Sequence, residues 1–488
     1  MPLRNQVIFS LTGGLFEGPM ITHFVVWRPN QPGTILRAVR SPEGAPPASI
    51  GRIEKAFRVR LPSRDSPESM LVHAYGGRMQ AQLDHRQLYR LPWSLPDNSI
   101  SWLEPTAACN LACFGCYREN EPKSHKSLEQ IDYELDVFTR LRTADGISIA
   151  GGDPLCHPEI ADIIANIERR GIKPILNTNG LALSPDLLRE LKKAGLWGLT
   201  LHIDSKQNRP KWKNKSEVEH CDLRLEYAEM IAEVGDLSCS FNSTVYEDTL
   251  PYVPDLVEWA QTHIDIVNVM VFITFRAGMV GGDYEYYAGG ETIELDTVYA
   301  TSELGRYDIQ STEVLGVVQE RFPDFKPCAY LNGTERPDSF KWLLSARIGT
   351  RDRIFGYVGP KFMELAQTTH HFRHGKYPAY ANPRALRRGR SMMLLSPLDR
   401  GVRGAAGSWL QTLLTQPRTA LGRAHLQSIM MIQPVDVLPD GRQDMCDSCP
   451  DQTVWHDRLV WSCRLEEPLE YGDFLRTRRP GAAKPEAH

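Results

Sequence analysis

Six of the ten cysteines in this 488-residue chain fall into two tight groups, Cys109-x3-Cys113-x2-Cys116 and Cys446-x2-Cys449-x13-Cys463. At this cysteine frequency the first spacing would arise by chance about 0.004 times in a chain of such length. Thiolates are soft ligands, and a clustered set in a chain with no evident secretion signal points to metal rather than to disulfides. Three thiolates are one short of the four that close a structural zinc or iron–sulfur site. An iron–sulfur cube held by three cysteines leaves one iron without a protein ligand, where a small molecule can bind. The chemistry to expect is therefore that of an open, redox-active metal centre. The competing reading, three buried thiols acting as small hydrophobes, is the weaker one at this spacing.

Such a loop needs a scaffold, and the pattern from Ser99 onward supplies one. Strand-like and helix-like segments alternate: Ser99–Glu104, then a helix from Ser127 with Gln130 in a capping box; Gly146–Ala150, then Pro158–Arg170; Lys173–Asn177, then Pro185–Ala194 behind the cap Ser184. Gly198–Ile203, a helix over Val218–Val234, Leu237–Asn242, a helix over Pro251–Gln261 and Ile266–Ile273 continue the series. Six strand–helix steps with near-continuous apolar strands predict an α/β fold, a closed or partial (β/α)6 barrel. Reactive groups in such folds gather on loops beyond the C-terminal strand ends. The cysteine loop, Gly151-Gly152-Asp153-Pro154, Asn177–Gly180 and Asp204 all fall there.

The sequence divides into an N-terminal region of unassigned role (1–98), with strand-like runs at His23–Trp27 and Met70–Ala74, and the core (99–285). A mixed helical and irregular region that would shape a substrate pocket (286–430) follows, with helical segments at Phe340–Ala346, Lys361–Thr369 and Trp409–Leu414. Residues 431–475 hold the second cysteine group and 476–488 read as a disordered tail. Lys+Arg 56 against Asp+Glu 60 gives a net charge of -4, with no chain-wide basic excess to suggest nucleic acid or anionic membrane. The longest apolar run, Val267–Phe275, is too short to span a bilayer, and Gly13 and Gly14 interrupt any signal-like segment. The expected location is cytoplasmic.

Cys109-Asn-Leu-Ala-Cys113-Phe-Gly-Cys116 after the first strand, with Gly151-Gly152-Asp153-Pro154 after the second, resembles the radical S-adenosylmethionine (radical SAM) superfamily over about residues 99–282. The resemblance implies that Cys109, Cys113 and Cys116 hold a [4Fe–4S] cluster whose fourth iron is chelated by the amine and carboxylate of SAM. It implies one-electron cleavage of SAM to methionine and a 5′-deoxyadenosyl radical, which takes hydrogen from an organic substrate: oxidoreductase-type chemistry fed by an electron donor such as a flavodoxin or ferredoxin. Gly151, Gly152, Asp153 and Pro154 correspond to the segment that meets the SAM amine. Asn179 in Asn177-Thr-Asn179-Gly180, and His202 and Asp204 in Leu201-His202-Ile-Asp204-Ser205, correspond to strand ends where polar groups meet SAM. Asp204 reads equally as a ribose ligand or a turn cap. One departure stands out: many members carry an aromatic residue just before the third cysteine, to pack on adenine, and this chain has Gly115. Phe114 precedes it and Tyr117 follows the cysteine.

The second group, Cys446, Cys449 and Cys463, is reminiscent of the C-terminal auxiliary clusters of the family's SPASM and twitch extensions without reproducing either spacing. An auxiliary [4Fe–4S] cluster, with Cys328 as a distant fourth ligand, is one reading. A zinc knuckle using Cys328 or His456 and plain free thiols are the others. Cys156, Cys221 and Cys239 read as core residues. Two further functional readings stand beside the radical SAM enzyme acting on a small molecule, lipid or peptide. One is a peptide- or carrier-protein maturase with residues 1–98 recognising the partner. The other is a non-catalytic iron–sulfur or zinc protein on the same barrel.

Overall fold

The computed structural model describes residues 81–275, 284–295, 306, 308–381, 383–438 and 440–478, together with three N-terminal strands. The chain divides into two compact units, Met1–Ser69 and Met70–His488. In the first, Val7–Leu11, Thr22–Trp27 and Thr34–Ala38 form an antiparallel three-stranded sheet. The middle strand contains the run His23–Trp27; Met70–Ala74 lies outside the described residues.

The second unit is built on an 11-stranded sheet. Its strands are β1 (Tyr89–Arg90), β2 (Ile100–Thr106), β3 (Gly146–Gly151), β4 (Lys173–Thr178), β5 (Gly198–His202), β6 (Ser238–Val245), β7 (Val269–Thr274), β8 (Ala329–Leu331), β9 (Trp342–Gly349), β10 (Ile354–Tyr357) and β11 (His425–Ile432). The order is β1-β8-β9-β11-β7-β6-β5-β4-β3-β2, with β10 paired to β9. Strands β2 to β7 are parallel to their neighbours, as is β11 to β7. All six expected strands are present. They do not close into a ring: β2 is an edge, and beyond β7 the sheet runs on through β11 and the antiparallel β9. The fold is thus α/β with an open, partial-barrel arrangement of parallel strands.

Helices α1 (Leu128–Leu141), α2 (Ile160–Arg169), α3 (Pro185–Lys193), α4 (His220–Val234) and α5 (Val253–Thr262) connect β2 to β7. Their ends follow local chemistry. The Ser127 hydroxyl accepts from Gln130 N at 3.2 Å, and Ser184 accepts from Leu187 N at 3.2 Å with Pro185 in the first turn. In α2, Ile160, Ile163, Ile164 and Ile167 fall at helical spacing and are all buried. Each such side chain contributes about 2 kcal/mol on burial against the sheet. Because every connection returns to the same end, the C-terminal tips of β2 to β7 share one edge.

Three segments differ from the sequence expectation. Phe340–Ala346 is not helical: Trp342–Gly349 is β9, buried on nearly all positions, so its apolar run carries no period to distinguish strand from helix. β11 was not foreseen, although it alternates perfectly in burial, because two of its buried positions are His425 and Gln427. Gln427 is satisfied inside: its Oε1 accepts from Arg347 Nε at 2.8 Å, and its Nε2 donates to Ala260 O at 2.7 Å and Val267 O at 2.8 Å. Arg476–Arg478, read as the start of a disordered tail, pairs instead with Glu285–Ala288.

The C-terminal segment is tied to the core through Arg142, the residue after α1. Its guanidinium donates to Leu95 O (2.8 Å), Ile100 O (3.0 Å), Pro450 O (3.1 Å), Cys449 O (3.2 Å) and Gln452 Oε1 (2.6 Å). Burial pulls its pKa down to about 10, a cost that those acceptors and the nearby Cys449 and Asp451 offset. Arg142→Ala strands buried carbonyls at both ends of the chain. It should cost about 3 kcal/mol in urea unfolding of the apoprotein, whereas truncating an exposed arginine such as Arg140 should cost under about 0.5 kcal/mol.

Candidate functional site

Between β2 and α1 the chain has no regular structure, and this is where Cys109, Cys113 and Cys116 stand. Neighbouring strand ends fix the loop through its backbone. Asn120 closes it by accepting from Cys109 N and donating to Cys109 O, both at 2.9 Å. Phe114 N donates to Lys206 O at 2.9 Å, and Tyr246 Oη donates to Phe114 O at 2.9 Å. The three thiols line one cavity of about 260 Å³ at the C-terminal edge of the sheet. Burial raises all three thiol pKa values, so bare thiolates are disfavoured there without a compensating cation. Among the described residues no three His, Cys, Asp or Glu side chains converge closely enough to hold a single ion. A cube makes no such demand, because it spreads its three thiolates over three separate irons.

The Gly151–Pro154 turn serves this loop differently from the expectation. Gly151 and Gly152 line the cavity; Asp153 and Pro154 sit behind it. Gly152 N donates to Thr106 O at 2.9 Å and Asp153 N to Ala108 O at 2.8 Å. A Cβ on Gly152 would strike the carbonyl oxygens of Ala107 and Ala108, and one on Gly151, at φ +103, that of Thr106. The glycines are thus required by the approach of the cysteine loop itself. The Asp153 carboxylate is buried. It accepts from Thr178 Oγ1 (2.9 and 2.8 Å), Asn179 N (2.8 Å) and Leu155 N (2.9 Å), the last capping the single turn Pro154–Cys156. Burial outweighs these donors and raises its pKa. The carboxylate so placed is a strut for the ends of β3 and β4.

The other expected residues do meet at the cavity. Asn179 Nδ2 reaches Cys109 Sγ at 3.8 Å and donates to Asn110 Oδ1 at 2.7 Å. His202 Nε2 lies 3.0 Å from both Asp204 Oδ2 and Thr244 Oγ1. Asp204 also accepts from Lys206 N at 2.9 Å and Thr244 N at 3.4 Å. Burial pushes the Asp204 pKa up, but His202 and the two amides more than reverse this, and the net shift is downward. Buried Arg209 donates to the carbonyls of Asn179 and of His202 (2.9 Å for the latter), placing a guanidinium behind Cys113, Asp153 and Asp204. Nothing local in the sequence marks Arg209. Three further lining residues carry buried polar atoms without a partner among the described residues: Trp102 Nε1, Asn177 Nδ2 and Thr274 Oγ1. Unpaired buried donors of this kind are costly, and a polar ligand would satisfy them.

At Gly115 the space that a side chain would fill is already taken. The residue has φ +67, and its Cβ would overlap the Phe275 ring, which enters from the end of β7. Phe275 stacks on Tyr246 at 4.9 Å between centroids and 24° between planes. Phe114 completes the group at 5.8 Å from Tyr246 and 6.2 Å from Phe275. All three line the cavity. Sequence reasoning missed Tyr246 and Phe275, although both directly follow strand ends.

The second cysteine group adjoins the same cavity. β12 (Gln452–Trp455) and β13 (Arg458–Trp461) form a hairpin. At its base Ser462 N donates to Asp451 O at 3.1 Å and Trp461 Nε1 to Cys446 O at 3.5 Å, bringing Cys446, Cys449 and Cys463 together. Cys463 lines the cavity with the first three cysteines. Asp451, which sequence reading passed over, interacts with both Cys449 and Cys463. Cys328 is not brought to this group: its thiol is buried against Leu344 O at 3.4 Å, while Cys446 stands opposite Gly333, five residues farther along the chain. His456 is exposed at the far tip of the hairpin with φ 45. Cys156 is half-buried in the Pro154–Cys156 turn, and Cys221 and Cys239 are core. The two cysteine loops are bridged by Arg118, which pairs with Glu104 and, at 2.8 Å, with Glu466 of α12 (Glu466–Tyr471).

Residues 103–260 match the family model described as the Radical SAM superfamily, so the cysteine loop and the strand ends from β2 to β6 lie in a radical SAM domain. A probable GTP 3′,8-cyclase of Methanocaldococcus jannaschii is 27% identical over 183 residues, covering 37% of this chain and 60% of that protein. Human molybdenum cofactor biosynthesis protein 1 is 35% identical over 106 residues, covering 20% of this chain and 16% of its own length. The chain thus spans about 60% of the length of the archaeal relative. Among solved structures, Streptococcus suis SuiB bound to S-adenosylmethionine aligns with a TM-score of 0.34 at 16% identity, over 47% of this chain and 48% of that one.

Removing the Asp153 strut tests how the site is held. Asp153→Ala leaves Thr178 Oγ1 and the Asn179 amide buried without acceptors and should cost about 2–4 kcal/mol. Iron retained by the purified protein should fall with it, whereas Pro154→Ala should retain iron at the parental level.

Proposed function

We propose that this radical SAM enzyme holds a [4Fe–4S] cluster on Cys109, Cys113 and Cys116, binds SAM in the adjoining cavity and removes hydrogen from an organic substrate admitted to the same space. The single observation that carries the reading is the convergence of three thiols on one cavity with an incomplete donor set, inside a span that matches the superfamily. When bound, the cluster would supply one electron to SAM, whose cleavage yields methionine and the 5′-deoxyadenosyl group that accepts the substrate hydrogen. The chain's own residues fit this use. Asn179 donates toward the Cys109 sulfur and would temper the charge of a thiolate there. The backbone of Gly151 and Gly152 borders the cavity where the amino-acid end of SAM would lie, with no carboxylate from Asp153 beside it. His202, held by Asp204 and Thr244, offers a fixed ring to a ribose. Phe114, Tyr246 and Phe275 supply an aromatic wall for adenine in place of the missing side chain at Gly115. Trp102 Nε1, Asn177 Nδ2 and Thr274 Oγ1 remain to orient a polar substrate.

The same reading assigns Cys446, Cys449 and Cys463 to an auxiliary iron–sulfur cluster, with Asp451 rather than Cys328 as the side chain at hand for a fourth position. The electron donor would be a flavodoxin- or ferredoxin-like protein, and the location cytoplasmic. A second reading, in which the N-terminal region recognises a peptide or carrier protein, draws support from Met1–Ser69 forming a compact unit with its own sheet.

Anaerobic reduction with SAM should release 5′-deoxyadenosine from the parent and none from Cys109→Ala, Cys113→Ala or Cys116→Ala. Product that survives these changes would sink the assignment. Iron analysis should give about eight irons per chain, falling to about four in Cys446→Ala/Cys449→Ala and unchanged in Cys328→Ala. Phe275→Ala should weaken SAM binding about tenfold or more by equilibrium dialysis while leaving the iron content and the visible absorption of the cluster as in the parent.

A further inference from the structure

The chain has a net charge of -4, yet residues 383–424 hold eight arginines, no lysine and a single acidic residue, Asp399. That one carboxylate is consumed locally. It is buried and accepts from Val402 N (2.8 Å), Gly359 N (2.9 Å) and Phe362 N (3.0 Å), so it neutralises none of the arginines. All eight guanidinium-bearing residues are exposed. Arg387, Arg388, Arg390 and Arg423 line a shallow cavity of about 330 Å³, and none of the four makes an ion pair among the described residues. Four cations gathered around one hollow without a carboxylate repel one another unless an anion is supplied from outside.

The same segment exposes its leucines. Leu394, Leu398, Leu410, Leu414 and Leu421 are 80%, 63%, 55%, 86% and 61% exposed. They lie on elements that pack on one another: α10 (Arg400–Thr415) contacts α11 (Pro417–Leu421) and the single turn Met393–Leu395. Along α10 one outward stripe carries Arg400, Arg403, Leu410 and Leu414, while Val402, Ala405 and Thr412 are buried on the other side. Cations and large aliphatic side chains therefore share an outer face whose own segment offers no exposed acidic group; of its arginines, Arg384 forms an ion pair with Asp236 at 2.5 Å. Nucleic acid would account for the arginines but not for the leucines. A bilayer with anionic headgroups accounts for both, with phosphates at the guanidinium groups and the acyl boundary at the leucines.

We propose that this face, formed by residues 383–424, docks the protein on a membrane surface rich in anionic lipid. The inference is independent of the cofactor assignment, and its test uses no SAM. Full-length holoprotein is sedimented at low salt with vesicles of phosphatidylcholine alone, and with vesicles in which about one third is phosphatidylglycerol. The parent should pellet with the anionic vesicles and stay in solution with the neutral ones. Arg387→Gln/Arg388→Gln/Arg423→Gln should lower the partition coefficient at least about tenfold, as should added salt. Leu410→Ser/Leu414→Ser should lower it by a similar factor at unchanged charge. Leu414→Trp should shift its emission to the blue on anionic vesicles only. Unchanged circular dichroism and iron content would certify each variant as folded. Absence of pelleting with anionic vesicles, equal pelleting with neutral ones, or an unshifted tryptophan overturns the proposal, including where the same face captures an acidic protein instead.

Discussion

At the C-terminal edge of the sheet, one buried carboxylate ties the cysteine loop to the neighbouring strand ends. Asp153 takes the hydroxyl of Thr178 and the amide of Asn179 from the end of β4. Its own amide donates to Ala108, one residue before the first cysteine. Two strand ends, those of β3 and β4, are thereby locked to a loop that has no hydrogen-bonded periodicity of its own. Without such a hub the spacing of three cysteines would specify a composition but not a shape, since a loop of this length samples many arrangements at little energetic difference. The glycines beside Asp153 complete the constraint, because any side chain there would displace the carbonyls that the loop presents.

How much of this could be read from sequence follows from how local each signal is. The six parallel strands and the caps at Ser127 and Ser184 are written in short windows, and all appear where expected. The strand pair β9 and β11 was hidden for two opposite reasons. β9 is apolar on both faces, and β11 buries a histidine and a glutamine whose satisfaction depends on Arg347, 80 residues away from Gln427. The site shows the same division. Cys109, Cys113, Cys116, Asn179, His202 and Asp204 were legible because strand ends on one edge must converge. Phe275 filling the space at Gly115, Arg209 behind the thiols and the exclusion of Cys328 all depend on contacts between distant segments, which no single-chain pattern reports. Asp153 was located by its motif, but its bonds to Thr178, Asn179 and Leu155 depend on how the chain folds back, which a motif does not report.

The charge distribution illustrates a related limit. A net charge near zero averages a neutral-to-acidic body with a segment that is almost purely cationic, and only the burial of Asp399 reveals that the segment's one acid does not offset its arginines. Averages over a chain describe solubility; what a face can touch is set by which charges are already spent.

The bridge from Arg118 to Glu466, and the presence of Cys463, Arg464 and Glu467 in the wall of the first cavity, have a consequence for biogenesis. A nascent chain whose first three cysteines have left the ribosome still lacks about 350 residues, and with them one wall of its own site. The parallel core can form during synthesis, but its reactive edge stays open to water and oxidants until the last helix docks. Any group that needs the finished pocket would therefore enter after translation, and a chain interrupted anywhere before residue 463 would leave its first three cysteines in a cavity that lacks one wall.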